Sequence, residues 1–287
     1  MIASSAFYRQ VESYLHYCQF TRDMSAMTLA SKRHIYLHFI TDSGCTNIRR
    51  LTNRHYDLWV TKQIESGVSN RTINMRTAHI KALVKYFQAM GVRVPIKLPL
   101  LKQRHEGEIT RTFYTKAEIT KVLSNADEMT ELLIRICFDA GLRISELRNL
   151  RLSNIHGQKI TFIGKGNKNR ETYITTKTYK LLTKYIMSHH IKNSLWPSRH
   201  GKSLAVDTLR KKMRRSFVLA GFEDFHPHAL RHSFATDLQN RGAELLEMQI
   251  MLGHANAQTT ERYLHGLEGQ CRALFAKYKD RSLKDPM

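Results

Sequence analysis

The chain has 287 residues, enough for two domains that each bury a core, and its 42% apolar and 9% aromatic content fits packed structure and excludes a disordered chain. Lys and Arg total 46 against 24 Asp and Glu, a formal charge of +22, so a polyanion is the expected partner, with nucleic acid ahead of an acidic membrane surface. No apolar run approaches the ~20 residues that span a bilayer, and the first residues are too polar for the core of a signal peptide, so a cytoplasmic chain with no membrane contact is expected.

Residues 1–92 read as a helical domain. Phe7, Val11, Tyr14, Leu15 and Cys18 recur at helical spacing, a second helix runs from about Met27 to a stop at Ser43-Gly44, and a third lies near Asn53 to Ser66. A fourth, from about Asn70 to Met90, carries Ile73, Ile80, Leu83, Val84 and Phe87 as its stripe and Gly91 as its stop. Arg71, Arg76, Lys81 and Lys85 decorate that helix as candidate contacts to a phosphate backbone, or as plain solvated surface. Residues 93–112 hold Pro95, Pro99 and an aperiodic charged stretch, the pattern of an extended linker.

A second domain, 113–281, opens with Thr115 and Glu118 as a capping box for a helix to about Asn125, then a more apolar helix from about Met129 to Ala140 that stops at Gly141. Arg143 starts the next helix, and Glu146, three residues on, shares its face and can orient the guanidinium. After Asn154 the period becomes two, giving a hairpin of 159–163 and 170–174 around a Gly- and Lys-rich tip. Helices follow near 178–191 and 206–219. The latter turns Leu209, Met213 and Phe217 inward and Arg210, Lys211, Arg214 and Arg215 outward, the second candidate DNA-binding face, with a phosphate-only surface equally open.

The densest chemistry lies between His226 and Tyr263. His228 and Arg231 share a helix face, Gly242 and Gly253 break the run, and His254 and Tyr263 follow. Guanidinium forks suit phosphate oxygens, imidazoles donate or move protons, and a tyrosine hydroxyl can attack phosphorus. The four cysteines are scattered singly, and His226, His228 and His232 lack a Cys or H-E-x-x-H companion, so neither a metal nor a cofactor is expected.

His228-Ala-Leu-Arg231, Leu252-Gly253-His254 and Tyr263 nine residues later resemble the signature of the tyrosine recombinase (phage integrase) family, and GLRISEL, IGKGNK, HALRHSFAT and TTERY look most like Xer-like recombinases and compact integrases. The resemblance implies a mainly α fold with a small β-hairpin or sheet: a helical core-binding domain at 1–92 and a mixed α/β catalytic domain at 113–281 whose last helix docks in cis or in trans. It implies Tyr263 as nucleophile, Arg143, Arg231 and His254 on the non-bridging oxygens, His228 moving the tyrosine proton, and Lys165, with Lys168 its rival, protonating the leaving 5′-oxygen. It further implies duplex DNA as substrate and four protomers, identical or including a related recombinase, on two DNA sites. Dimer resolution, element integration or excision, and any accessory protein stay open. Two alternatives share the scaffold, type IB topoisomerase-like DNA relaxation and a catalytically silent DNA-binding protein. An RNA-binding protein would explain the charge without the motifs.

Overall fold

The computed structural model describes residues 5–102, 113–163, 169–252 and 267–279. The chain divides into two compact units, Met1–Glu108 and Ile109–Met287.

In the first unit, small hydroxyl side chains fix where helices begin, by accepting from backbone N–H groups that the first turn leaves free. Ser5 accepts from Tyr8 N and opens α1 (Ala6–Phe20); Ser25 opens α2 (Ala26–Ser43) in the same way. Thr52 and His55 box the start of α3 (Asn53–Glu65), and Ser69 caps α4 (Asn70–Ala89). The apolar stripes meet in a core of Phe7, Val11, Tyr14, Tyr36, Phe39, Trp59, Ile80 and Leu83, with Phe39 edge-on to both Phe7 and Trp59.

Residues 93–102, anticipated as linker, form neither helix nor strand but are folded onto this unit. Val94 and Leu98 join its core, Tyr56 Oη donates to Pro99 O at 2.7 Å, and the Asn74 amide brackets Leu101 with two bonds of 2.8 Å. The prolines forbid a helix, yet alternate side chains are apolar, so the strand-like path still has a face to bury.

The second unit is built around α6 (Glu128–Ala140). Leu132, Leu133, Ile134, Ile136, Cys137 and Ala140 are essentially inaccessible, as befits a helix covered on several sides. It follows the boxed helix α5 (Lys116–Leu123) and precedes the short α7 (Ile144–Arg148). A three-stranded antiparallel sheet comes next, ordered β1 (Ile155–His156), β2 (Lys159–Ile163) and β3 (Asn169–Tyr173), with Phe162 opposite Arg170. Then come α8 (Thr176–Ser188), α9 (Val206–Leu219), α10 (Pro227–Asn240), α11 (Leu245–Leu252) and α12 (Leu267–Tyr278), with α8, α9 and α10 all packed on α6. The mainly helical class with one small sheet is the class anticipated; β1 adds a strand to the expected hairpin, since two residues are too few to register as period two.

The last helix packs on its own chain: Cys271, Phe275, Ala276 and Tyr278 are buried against Tyr173, Phe234, Leu238 and Leu252. Among the described residues no helix is long and apolar enough to cross a membrane.

Candidate active site

The site begins with a glycine. Gly141 ends α6 at φ 62°, and a Cβ there would lie 2.6 Å from Phe234 Cδ1 and 3.2 Å from Leu252 Cδ2, so only glycine lets α10 and the end of α11 come this close. Their approach puts two carbonyls in reach of Arg231 on α10. Its Nη1 donates to Gly141 O and its Nη2 to Leu252 O at 2.7 Å, and the residue is 4% exposed. Both acceptors lie at helix C-termini, where the backbone favours a cation. They orient the guanidinium without neutralising it. Burial, followed by the nearby Arg143 and Arg170 cations, pulls its pKa down to about 10, so it remains charged at neutral pH.

Arg143 stands at the N-cap of α7, immediately after the chain leaves Gly141. Its backbone N–H donates to Glu146 Oε2 and its Nη1 to Glu146 Oε1, both at 2.8 Å. Glu146 is buried while the Arg143 side chain remains about a third accessible, so the carboxylate steers a guanidinium that a ligand can still reach. His228 lies one turn before Arg231 on α10, its ring edge-on to His232 at 4.7 Å. Desolvation on this crowded face holds its pKa below the ordinary histidine value, and the neighbouring His232, Arg231, His226 and Arg143 push the same way. A neutral imidazole that can accept a proton results. Of the site residues anticipated from sequence, the structure brings together Arg143, Glu146, His228 and Arg231. Lys165, His254 and Tyr263, together with Lys168, lie outside the described residues.

One member of the cluster was missed. Arg170, on β3, has a side chain only 13% exposed, extends Nη1 to within 3.5 Å of Glu146 Oε1 and Nη2 to within 3.5 Å of Met251 O, and lies over the Phe162 ring at 5.2 Å. The strand pattern held the clue: residues paired across an antiparallel ladder share a face, so an inward Phe162 puts Arg170 inward too. Three guanidinium groups around one carboxylate leave an excess of two positive charges, which suits an anion with several oxygens. Beside Arg143 a cleft of about 580 Å³ opens, lined by Arg148, Asn149, Arg151 and Ser203 among others.

The outlying basic residues fall into two sets. On α9, Leu209, Met213 and Phe217 are buried while Arg210, Lys211, Arg214 and Arg215 are exposed, and Asp207 pairs with Arg210 at 3.6 Å and Lys211 at 3.0 Å. On α4, Arg71 and Lys85 are exposed and Lys81 half-buried, whereas Arg76 turns aside to donate to Gln63 Oε1. The four therefore do not share one face.

The model of the Phage integrase family matches residues 112–269, more than half of the chain. Tyrosine recombinase XerC of Oceanobacillus iheyensis is 25% identical over 296 residues, covering 95% of this chain and 96% of that protein. Tyrosine recombinase XerD of Staphylococcus aureus is 26% identical, covering 95% and 99%. Among solved structures, a lambda integrase dimer bound to a COC′ core site superposes with a TM-score of 0.68 at 15% identity, over 86% of this chain and 94% of that one. XerH recombinase bound to a palindromic difH substrate gives 0.65 at 19% identity, over 93% and 81%. These relatives are recombinases and integrases, which favours neither a topoisomerase nor a silent DNA-binding protein. With its arginines gathered around a carbonyl-lined helix junction and its second unit matched by the family model, the chain belongs to the phage integrase family of tyrosine recombinases, enzymes that cut and rejoin DNA at specific sites.

Proposed function

We propose that this chain recombines duplex DNA at specific sites through a 3′-phosphotyrosyl intermediate, with the cluster of Arg143, His228 and Arg231 as its phosphate pocket. The observation that carries this is the fixing of Arg231 by two neutral carbonyls beside Arg143, so that Arg231 is oriented without being neutralised. In this reading the Tyr263 oxygen adds to phosphorus as the bond to the 5′-oxygen breaks. His228 takes the phenolic proton and Lys165 delivers one to the departing 5′-oxygen. Arg143, Arg231 and His254 hold the non-bridging oxygens, where charge grows as the phosphorus becomes pentacoordinate. A 5′-hydroxyl from a second strand then reverses the step, so no external energy source is required. Glu146 does not touch the phosphate; it holds Arg143 in line.

Duplex DNA is the partner, and several protomers assemble on it, as do the lambda integrase dimer on its core site and the lambda integrase tetramer on a Holliday junction. Four copies on two sites, cutting one strand pair at a time, complete the exchange, in the cytoplasm where such DNA is found. The first unit serves as a core-binding domain, with Arg71, Lys81 and Lys85 on backbone phosphates, and α9 lays Arg210, Lys211, Arg214 and Arg215 along the duplex. Dimer resolution, or integration and excision of a mobile element, is the biological outcome.

The test is to trap and sequence DNA held covalently by the full-length protein. The wild type yields adducts at a recurrent sequence and Tyr263→Phe yields none while still binding that DNA. Adducts from Tyr263→Phe at the wild-type level would overturn the assignment of the nucleophile.

A further inference from the structure

Arg170 has no role in the chemistry just described, yet its position is unfavourable for a cation. A guanidinium with a nearly enclosed side chain loses its hydration, and the contacts that offset the loss are long: 3.5 Å to Glu146 Oε1 and 3.5 Å to Met251 O. Its buried Nε meets no acceptor among the described residues. Burial holds its pKa below the ordinary arginine value, and neighbouring Arg143 adds repulsion that Glu146 opposes. A Thr or Val would fill an inward strand position opposite Phe162 at far less electrostatic cost. Fold stability therefore does not account for the charge, and the reacting phosphate does.

We infer that Arg170 is a positioning residue of the phosphate pocket, bracing both substrate-facing arginines through their own anchors. The Glu146 oxygen it approaches is the one that bonds Arg143 Nη1 at 2.8 Å. The carbonyl it approaches, Met251 O, precedes Leu252 O, the acceptor that fixes Arg231 Nη2. One side chain on β3 thus ties α7 and the end of α11 to the sheet, and its charge, kept off the substrate, strengthens the field in which the phosphorane forms. A monoanionic phosphodiester gains negative charge as the phenolate adds, so an additional cation nearby favours the transition state over bound DNA. The inference rests on the recombinase reading above.

The experiment uses full-length protein and a duplex carrying the sequence recovered by covalent trapping, once with a normal scissile phosphate and once with a methylphosphonate there, which removes one anionic oxygen. With the normal phosphate, Arg170→Met forms the tyrosyl adduct about tenfold to a hundredfold more slowly than wild type, a range usual for residues that orient a site, while DNA affinity stays within about threefold. With methylphosphonate that penalty shrinks, because less charge needs stabilising, and Arg170→Lys recovers part of the rate on normal DNA. A penalty equal on the two substrates marks Arg170 as merely structural and overturns the inference, as does no penalty at all. If Arg170→Met fails to fold, Arg170→Lys decides on the same two substrates by the same criterion. Wild-type protein that traps no DNA covalently in the first step would overturn the recombinase reading instead.

Discussion

At the scale of single residues, Gly141 holds the pocket open by having no side chain. Gly141→Ala must accommodate a left-handed backbone at φ 62°, as exposed Gly44 and Gly91 also would, and in addition a Cβ only 2.6 Å from the Phe234 ring, which they would not. Together these cost about 2–5 kcal/mol, the sum of a strained φ and an overpacked core, and urea denaturation measures that loss directly. Phe234 and Arg231 share α10, so a helix displaced by the added methyl carries the guanidinium away from Gly141 O, and adduct formation is expected to slow too. His228 makes a prediction about pH. Its pKa lies below the ordinary histidine value of 6.5, and the base role proposed for it requires the neutral ring, so cleavage is expected to be fast above that lowered pKa and to fall as acidification charges the imidazole. The acid limb of the rate profile accordingly has its midpoint below 6.5, and His228→Gln abolishes the limb along with most of the rate. The same depression means that unfolded chains take up this proton first, so acidification through 6.5 also removes a little stability.

Among elements, those written in local sequence were legible and those made by long-range contact were not. Helix starts at Thr115 and Arg143 could be read off because the capping partners Glu118 and Glu146 stand three residues away. Neither the carbonyls of Gly141 and Leu252 nor the burial of Arg170 could be, because they depend on how α6, α10, α11 and β3 meet. For the terminal helix, sequence left docking in cis or in trans undecided. In the structure it is latched in cis by Lys279, whose Nζ lies 2.6 Å from Asp237 Oδ2, with the Phe138 and Phe234 rings beneath it. The Lys279 side chain is 3% exposed, so removing its partner leaves an enclosed cation. Asp237→Asn is expected to cost about 3 kcal/mol in urea denaturation. Adding Lys279→Met to that variant restores most of the loss, because the stranded charge is gone; two losses that simply add would show that the pair is not coupled.

For the molecule as a whole, the charge of +22 was the plainest message of the sequence, and it concerns affinity more than catalysis. Binding to duplex DNA is expected to weaken steeply with added salt, since each phosphate neutralised releases condensed counterions. Arg214 and Arg215 are exposed on α9, and no ion pair or hydrogen bond of their side chains appears among the described residues. Arg214→Gln should therefore lower the slope of log affinity against log salt by about one, since one phosphate fewer is neutralised, as read from fluorescence anisotropy at several salt concentrations. An unchanged slope would take α9 away from the DNA. Neutralising substitutions in the pocket behave differently, slowing bond cleavage far more than they weaken binding. In the proposed reading that contrast between grip and chemistry has a structural basis: an exposed basic helix for the first, and for the second a guanidinium held between two helix ends.

The most direct measurement is to digest the covalent complex and identify the amino acid linked to the 3′-phosphate, with Arg231→Met run in parallel. Wild-type protein is expected to carry DNA on Tyr263, and Arg231→Met to bind the same duplex but form the adduct at least about a hundredfold more slowly, the scale seen when one donor to a developing oxyanion is removed. DNA attached to any other residue, or an adduct formed by Arg231→Met at the wild-type rate, would contradict a phosphate pocket built on these arginines.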